Sequence, residues 1–500
     1  MSLPIIDLII IVVFMTISIS VGIGLGWKQS TLSDFALGGR NIPWWALLGS
    51  IVATETSTAT FLGVTGRPAF ADGDMRFLQL AFGYVLGRII VSVVLLPQYF
   101  RGEIFTAYEV LNKQFGGATQ RAASVLFLIA RNLGDGLRLF LCAVALKFAI
   151  GLSLEYCVVI IGIATIVYTV CGGMKSVVWN DCIQLVIYII GGVAALFVIV
   201  GALPKGWAEL RAFVEANESM RVFVTSPPAD KTWFGWVRLD VLSIIPGVVG
   251  GAVFSVGSHG VDQMMVQRYL SAKSQRDARK ALIGSGVVVL LQFALFLFVG
   301  VALHCFIQQV TPPGDAEDVN RIFAWFVANH MPVGLTGLTL AAVFAAAMST
   351  LSSSLSASAT AVVADFSSSS KTASIGRTRI WTLVFGVVQM NIAVLAGQWS
   401  KDVVSEALAI YGFVVGALLG VFLLGTYAKR VDQRGALVGM VAGIAVVAVV
   451  HFWKFISLAA TGVETKLAGW VWYPLIGTLV TFVVGVVASG KVEKNNESVV

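Results

Sequence analysis

Apolar runs close to the ~20 residues that a helix needs to cross a bilayer recur along this sequence. Thirteen can be placed: 4–25, 43–66, 77–98, 123–148, 154–172, 176–203, 240–266, 281–308, 335–366, 379–398, 403–427, 435–454 and 467–489. The first has no basic segment before it and no small-residue cleavage pattern, so it reads as a retained span rather than a signal peptide. Residues 490–500 form a short polar tail, expected to be disordered.

Two runs interrupt their own apolar pattern. The second carries Thr54, Glu55, Thr56, Ser57, Thr58 and Thr60 at mid-span, followed by Gly63, Gly66 and Pro68. A lone glutamate at that depth is costly, so Glu55 is expected to face protein, ion or water. The seventh holds five glycines between Gly247 and Gly260, with Ser255, Ser258 and His259. Both patterns predict discontinuous helices whose unwound carbonyls line a cavity. For the second run the alternative is an intact helix with Ser and Thr bonded back to their own carbonyls. The two lie five spans apart and so cross in opposite directions, the pattern of two inverted five-helix repeats with a site at their interface. The expected organisation is a peripheral helix and loop (1–42), a first repeat with an external loop (43–239), a second repeat (240–430), two peripheral helices (431–489) and the tail.

A third exception is Leu340 to Phe366, which has no charge until Asp365 but is crowded with hydroxyls. Ser352, Ser353, Ser356 and Thr360 follow Ser349 at helical offsets and share its face. Such a face is either a seam of small residues for close helix packing or a ladder of hard oxygen donors for a cation such as Na⁺.

Composition supports a membrane chain: 57% of the 500 residues are hydrophobic and 12% charged, against about 25% charged in soluble domains. One set of alternate loops holds 19 Lys and Arg and the other 12, five of the latter in the long 204–239 loop. The excess predicts an external N-terminus and a cytoplasmic C-terminus in the cell (inner) membrane. The net charge of +7 reflects this bias; no basic, aromatic-interleaved cluster suggests nucleic acid. Five cysteines and four histidines are scattered without metal-ligand spacing, and no nucleophile–base set appears, so no catalytic residues are expected and the chain does not read as an enzyme.

Charged or polar residues at depth supply the remaining candidates. Arg131, Asp135 and Arg138 share a helix face. They form either a structural salt bridge or an anchor for a substrate carboxylate or hydroxyls. Asp181 follows a Gly172-Gly173 turn, where it caps a helix end or completes a cation site. Gln79 and Tyr84 lie in the third span.

Six stretches, Asp34–Arg40, Ala53–Phe61, Thr106–Gly116, Gly172–Gln184, Asp262–Tyr269 and Phe344–Phe366, carry a resemblance to the sodium/solute symporters, which include bacterial sialic acid, sugar and proline transporters. The resemblance implies an all-α integral membrane protein of about thirteen spans, with a leucine-transporter-like 5+5 inverted repeat and peripheral helices. It implies a main sodium site of the Ala53, Thr56 and Ala346 carbonyls with the Ser349 and Thr350 hydroxyls. A second sodium would use Asp181, Ser349, Ser352 and Ser353. It places Ser57, Thr60 and Gln79 along the substrate cavity. The expected function is sodium-coupled import of a small polar organic solute, a sugar, sialic acid-like sugar or other carboxylate, with two ions per cycle. The partners are solute, sodium and membrane lipid, and a single copy is the expected working unit. The alternatives are a transporter-like sensor, disfavoured because no cytoplasmic domain follows residue 490, and a sodium-conducting channel.

Overall fold

The computed structural model describes residues 3–490 other than 27–28, 30, 58, 229, 315–318, 320, 367–373, 398–402 and 429; the tail at 491–500 lies outside the described residues. Among the described residues there is no strand, only a bridge pairing Ile42 with Ala272. The principal helices are α1 (Ile5–Gly26), α2 (Trp44–Glu55), α3 (Thr65–Phe70), α4 (Leu78–Val94), α5 (Gly117–Ile150), α6 (Leu154–Ala202) and α7 (Gly251–Gly260). They continue with α8 (Gln263–Leu270), α9 (Gln275–Ile307), α10 (Leu335–Asp365), α11 (Ile375–Ala396), α12 (Val403–Tyr427), α13 (Gln433–Thr461) and α14 (Tyr473–Ala488). A helix, half of a kinked helix or a broken pair lies over each apolar run. Among the described residues seven are individually long and apolar enough to cross a membrane, and the bent pair α2–α3 makes an eighth candidate.

The two polar interruptions are breaks. Helix α2 ends at Glu55, with Thr56 out of helical geometry at φ −79°, ψ 77°. The chain resumes through a wide turn over Ala59–Val64 into α3, bent by 69° from α2. Ser and Thr hydroxyls compete here for backbone groups; Thr56 Oγ1 lies 2.8 Å from the Val52 carbonyl. Helices α7 and α8 are separated at Val261-Asp262, and the Asp262 carboxylate caps α8 by accepting from the Met264 N–H at 2.8 Å. A third interruption falls inside α6, where Gly173 adopts φ +54°. Only glycine holds that conformation without strain, so α6 is two helical segments joined at the predicted Gly172-Gly173 turn.

Helix α10 is the central element. Of its most apolar window 89% is buried, against 22% for α1, and it packs on α6, α5, α11 and α1. Its N-terminus is capped from the far end of the sequence. Asp7 of α1 accepts from the Gly334 and Gly337 N–H groups, both at 2.7 Å. Gly337 permits this approach, since a Cβ there would lie 2.6 Å from the Asp7 Cα. On the outside of the bundle α1, α11 and α14 turn large apolar side chains outward, among them Ile5, Val13, Ile380, Leu383, Val483 and Val487. Continuous exposed apolar faces of this kind require lipid around them.

Candidate cation and solute sites

The break after α2 leaves carbonyls without helical partners, and α10 brings hydroxyls to them. Ser349 Oγ lies 3.0 Å from the Ala53 carbonyl and 3.2 Å from that of Ala346. Thr350 Oγ1 lies 3.1 Å from the Thr54 carbonyl and 3.3 Å from that of Ala346. All these residues are buried. Three carbonyls and two hydroxyls thus converge with only two hydroxyl protons among them. An oxygen-rich, proton-poor cluster in a dry interior suits a small hard cation. The structure brings Ala53, Ala346, Ser349 and Thr350 together and adds the Thr54 carbonyl. Thr56, expected to contribute its carbonyl, closes α2 beside them, with its hydroxyl 2.9 Å from Gln292 Oε1.

Asp181 lies nearby on α6, completely buried. Its Oδ2 accepts from Ser50 at 2.5 Å, Thr54 at 3.3 Å and the Arg268 guanidinium at 3.1 Å. Arg268, one of the 19 basic residues that the sequence assigns to the first set of loops, is in fact buried on α8. Besides Asp181 it donates to Ser50, Thr54, Ser353 and the Met264 carbonyl. The guanidinium therefore occupies the space between Asp181 and Ser353. Ser352 donates to the Ser349 carbonyl at 3.2 Å. Asp181 Oδ1 is buried and unpartnered. Ser356 and Thr360, lower on α10, sit 3.4 and 3.3 Å from Gln267 Nε2, a packing role.

Beside the break is a cavity of about 100 Å³. Glu55, Ser57, Thr60, Arg138, Ser258 and His259 supply polar lining; Phe77, Tyr84, Phe254, Phe293 and Tyr411 supply rings. Arg131 also reaches the cavity, but it is committed. It pairs with Asp262 and with Asp135 at 3.4 Å, and its guanidinium stacks 5.1 Å from the Tyr411 ring. Tyr411 also donates to Asp262. Arg138 pairs with Asp135. Gln79 is not among the lining residues; its amide donates to the Leu242 carbonyl at 2.7 Å. Glu55 pairs with Arg88 of α4, and His259 Nε2 stands 3.6 Å away.

The sequence model described as the sodium:solute symporter family matches residues 35–443. The chain belongs to the sodium:solute symporter family. Sequence relatives agree. The sodium/sialic acid symporter NanT of Aliivibrio fischeri is 28% identical over 482 residues, 94% of this chain and 90% of that protein. The sodium-coupled monocarboxylate transporter 2 of Mus musculus is 29% identical, over 86% of this chain and 68% of its own length. A solved structure of a Na⁺-coupled sialic acid symporter, substrate-bound and outward-open, superposes with a TM-score of 0.84 at 24% identity, covering 97% of both chains. This symporter thus has the leucine-transporter-like inverted-repeat fold, with α2–α3 and α7–α8 as its two broken helices. As a family member it is a multi-pass, sodium-coupled solute symporter.

Three partners were not legible. Ser50 reads as an ordinary small residue of the second span, and Thr54 reads as part of its polar interruption with nothing to assign it to Asp181. Arg268 stands at the end of an apolar run, where a basic residue reads as a loop charge; its place in the Asp262–Tyr269 stretch was the available signal.

Proposed function

We propose that this symporter imports a small polar solute by alternating access, with one Na⁺ held by the Ala53, Thr54 and Ala346 carbonyls and the Ser349 and Thr350 hydroxyls. The observation that carries this is the convergence of five oxygens on two hydroxyl protons, between the broken α2 and the central α10. An ion there ties the two helices together, so its binding favours whichever state brings them into contact. The solute then binds in the adjoining cavity. Coupling is a binding free energy and is reciprocal: solute tightens Na⁺ by the factor that Na⁺ tightens solute. The second sodium expected from the sequence would need Asp181 and Ser353, which Arg268 already bridges. We assign that position to the chain's own cation, giving one Na⁺ per cycle.

The N-terminus is proposed to lie outside and the C-terminus in the cytoplasm. Ser349→Ala removes one of the two hydroxyls. Sodium-driven uptake into proteoliposomes is expected to fall to background, with the protein still folded by circular dichroism. Uptake at the unmodified rate in this variant would remove the assignment.

A further inference from the structure

Asp365 ends α10 at the pole away from Asp7, and neither the sodium site nor the solute cavity uses it. The residue keeps only 7% of its surface exposed. Its Oδ1 accepts from the Thr106 hydroxyl at 2.6 Å and from the Gln120 amide at 2.7 Å. Its Oδ2 is buried without a hydrogen-bond partner. The Ser124 hydroxyl, one turn along α5 from Gln120, is completely buried, also unpartnered, and faces the same carboxyl.

No opposite charge answers this carboxyl. Among the described residues no lysine, arginine or histidine pairs with it, and the charged group acting on it is Glu109, in the short helix Glu109–Phe115. Glu109 is itself committed, accepting from the Phe105 and Thr106 N–H groups at 2.8 and 3.1 Å. Arg40, the cation that reaches this loop, donates to the Ile104 carbonyl at 2.7 Å and is drawn to Glu103 and Glu109. Lys113 and Arg121 are exposed. The loop and α5 otherwise offer Asp365 neutral groups: Thr106, Tyr108, Gln120 and Ser124. A carboxylate buried without a cation is strongly unfavourable, and such a group takes up a proton instead. With that proton on Oδ2, Oδ1 is a carbonyl oxygen accepting two hydrogen bonds, and Ser124 Oγ is the acceptor that Oδ2–H requires.

The loop over Asp365 is a strap tied to three elements. Thr106 binds the end of α10, and Ile104 takes Arg40 from the loop before α2. Gln263 of α8 accepts from the Ala107 N–H at 2.7 Å and donates to the Phe105 carbonyl at 3.1 Å. Helix α8 is half of the second broken helix. Movement of α8 that opens this side of the protein therefore draws the strap off α10 and lets water reach Asp365. A hydrated carboxyl is ionised at neutral pH.

We infer that Asp365 is a proton-binding site on the cytoplasmic side, which holds one proton while the strap is closed and returns it to the cytoplasm when that side opens. This rests on the alternating-access reading and on the proposed orientation. The proton is exchanged with one compartment only, so it sets the balance between closed and open states and does not drive transport. The sign follows from linkage: the closed state binds the extra proton, so it is favoured at low pH and loses ground as pH rises.

The test uses the purified full-length protein in detergent and KCl without solute. A cysteine replaces Thr360, which is 1% exposed here and faces Gln267, in a background with the five native cysteines changed to alanine. Its rate of maleimide labelling is divided by that of a cysteine at the exposed Asp230, which removes the titration of the thiol itself. The ratio is expected to rise about fivefold or more from roughly pH 5.5 to 8.5, within the tenfold per pH unit that one proton permits. Asp365→Asn keeps an accepting oxygen but cannot ionise, and is expected to label slowly at every pH. Should that variant not fold, Gln120→Lys sets a cation against the carboxyl, removes the need for a proton and is expected to flatten the profile likewise. A rise that persists in either variant, as it would if Glu109 were the titrating group, overturns the inference. A flat profile in the Thr360→Cys parent that Na⁺ still slows overturns it alone. A rate that neither pH nor Na⁺ moves overturns it together with the alternating-access reading.

Discussion

Asp181 and Arg268 bring opposite unit charges into an interior that excludes water. Each depends on the other: the guanidinium has partners for all its nitrogens, while the carboxylate keeps one oxygen bare. Breaking a buried pair by removing one partner costs about 3–5 kcal/mol, whereas replacing both is often nearly neutral. Asp181→Asn is therefore expected to lower the thermal midpoint sharply, and the double variant Asp181→Asn/Arg268→Gln to regain most of it. On the proposed reading the same pair sets the ion count. With Arg268 in place, the Na⁺ dependence of uptake is expected to have a Hill coefficient near one. In Arg268→Gln, Asp181 and Ser353 are free for an ion, and the coefficient is expected to rise above one. A coefficient near two in the unmodified protein would show that a second ion displaces the guanidinium.

At the scale of elements, α10 is positioned from both ends. Asp7 caps its first turn, and at its last residue Asp365 accepts from Thr106 at 2.6 Å and Gln120 at 2.7 Å. Losing a cap costs roughly 0.5–2 kcal/mol. Asp7→Ala is expected to destabilise the protein by about that much. Because Ser349 and Thr350 ride on the same helix, it should also weaken Na⁺-dependent stabilisation. Asp7→Asn keeps an acceptor oxygen and is expected to retain most of both. The helices were legible in the sequence because a bilayer demands long apolar runs, and the α2 break was legible because a Glu-Thr-Ser cluster has no business in an uninterrupted span. The solute cavity was legible only in part. Ser57 and Thr60 line it, but Gln79 turns to the Leu242 carbonyl, since a residue's spacing along a helix does not say which neighbour that face will meet. The pairing of Asp181 with Arg268, 87 positions apart, depends on how α6 and α8 come together, which no local pattern encodes.

Taken whole, the molecule is an oxygen-lined centre wrapped by helices whose outer faces are apolar. The proposed orientation, with the N-terminus outside, rests on the loop bias and can be tested by labelling. A cysteine introduced at Asp230, exposed in the long loop before α7, is expected to react with an impermeant maleimide added outside intact cells. One introduced at Arg276, exposed at the start of α9, is expected to react only after the membrane is opened. The reverse labelling would invert the orientation.

The cap supplied by Asp7 also has a consequence in time. Its amide partner at Gly334 is made 327 residues later. At about 5–20 residues per second, the carboxylate waits on the order of 16–65 s for the groups that satisfy it. Throughout that interval it must stay hydrated at the membrane surface, or be shielded by the insertion machinery. The Asp7 cap of α10 therefore cannot form until Gly334 and Gly337 have been made. The ion site, whose hydroxyls ride on α10, is likewise completed only late in synthesis.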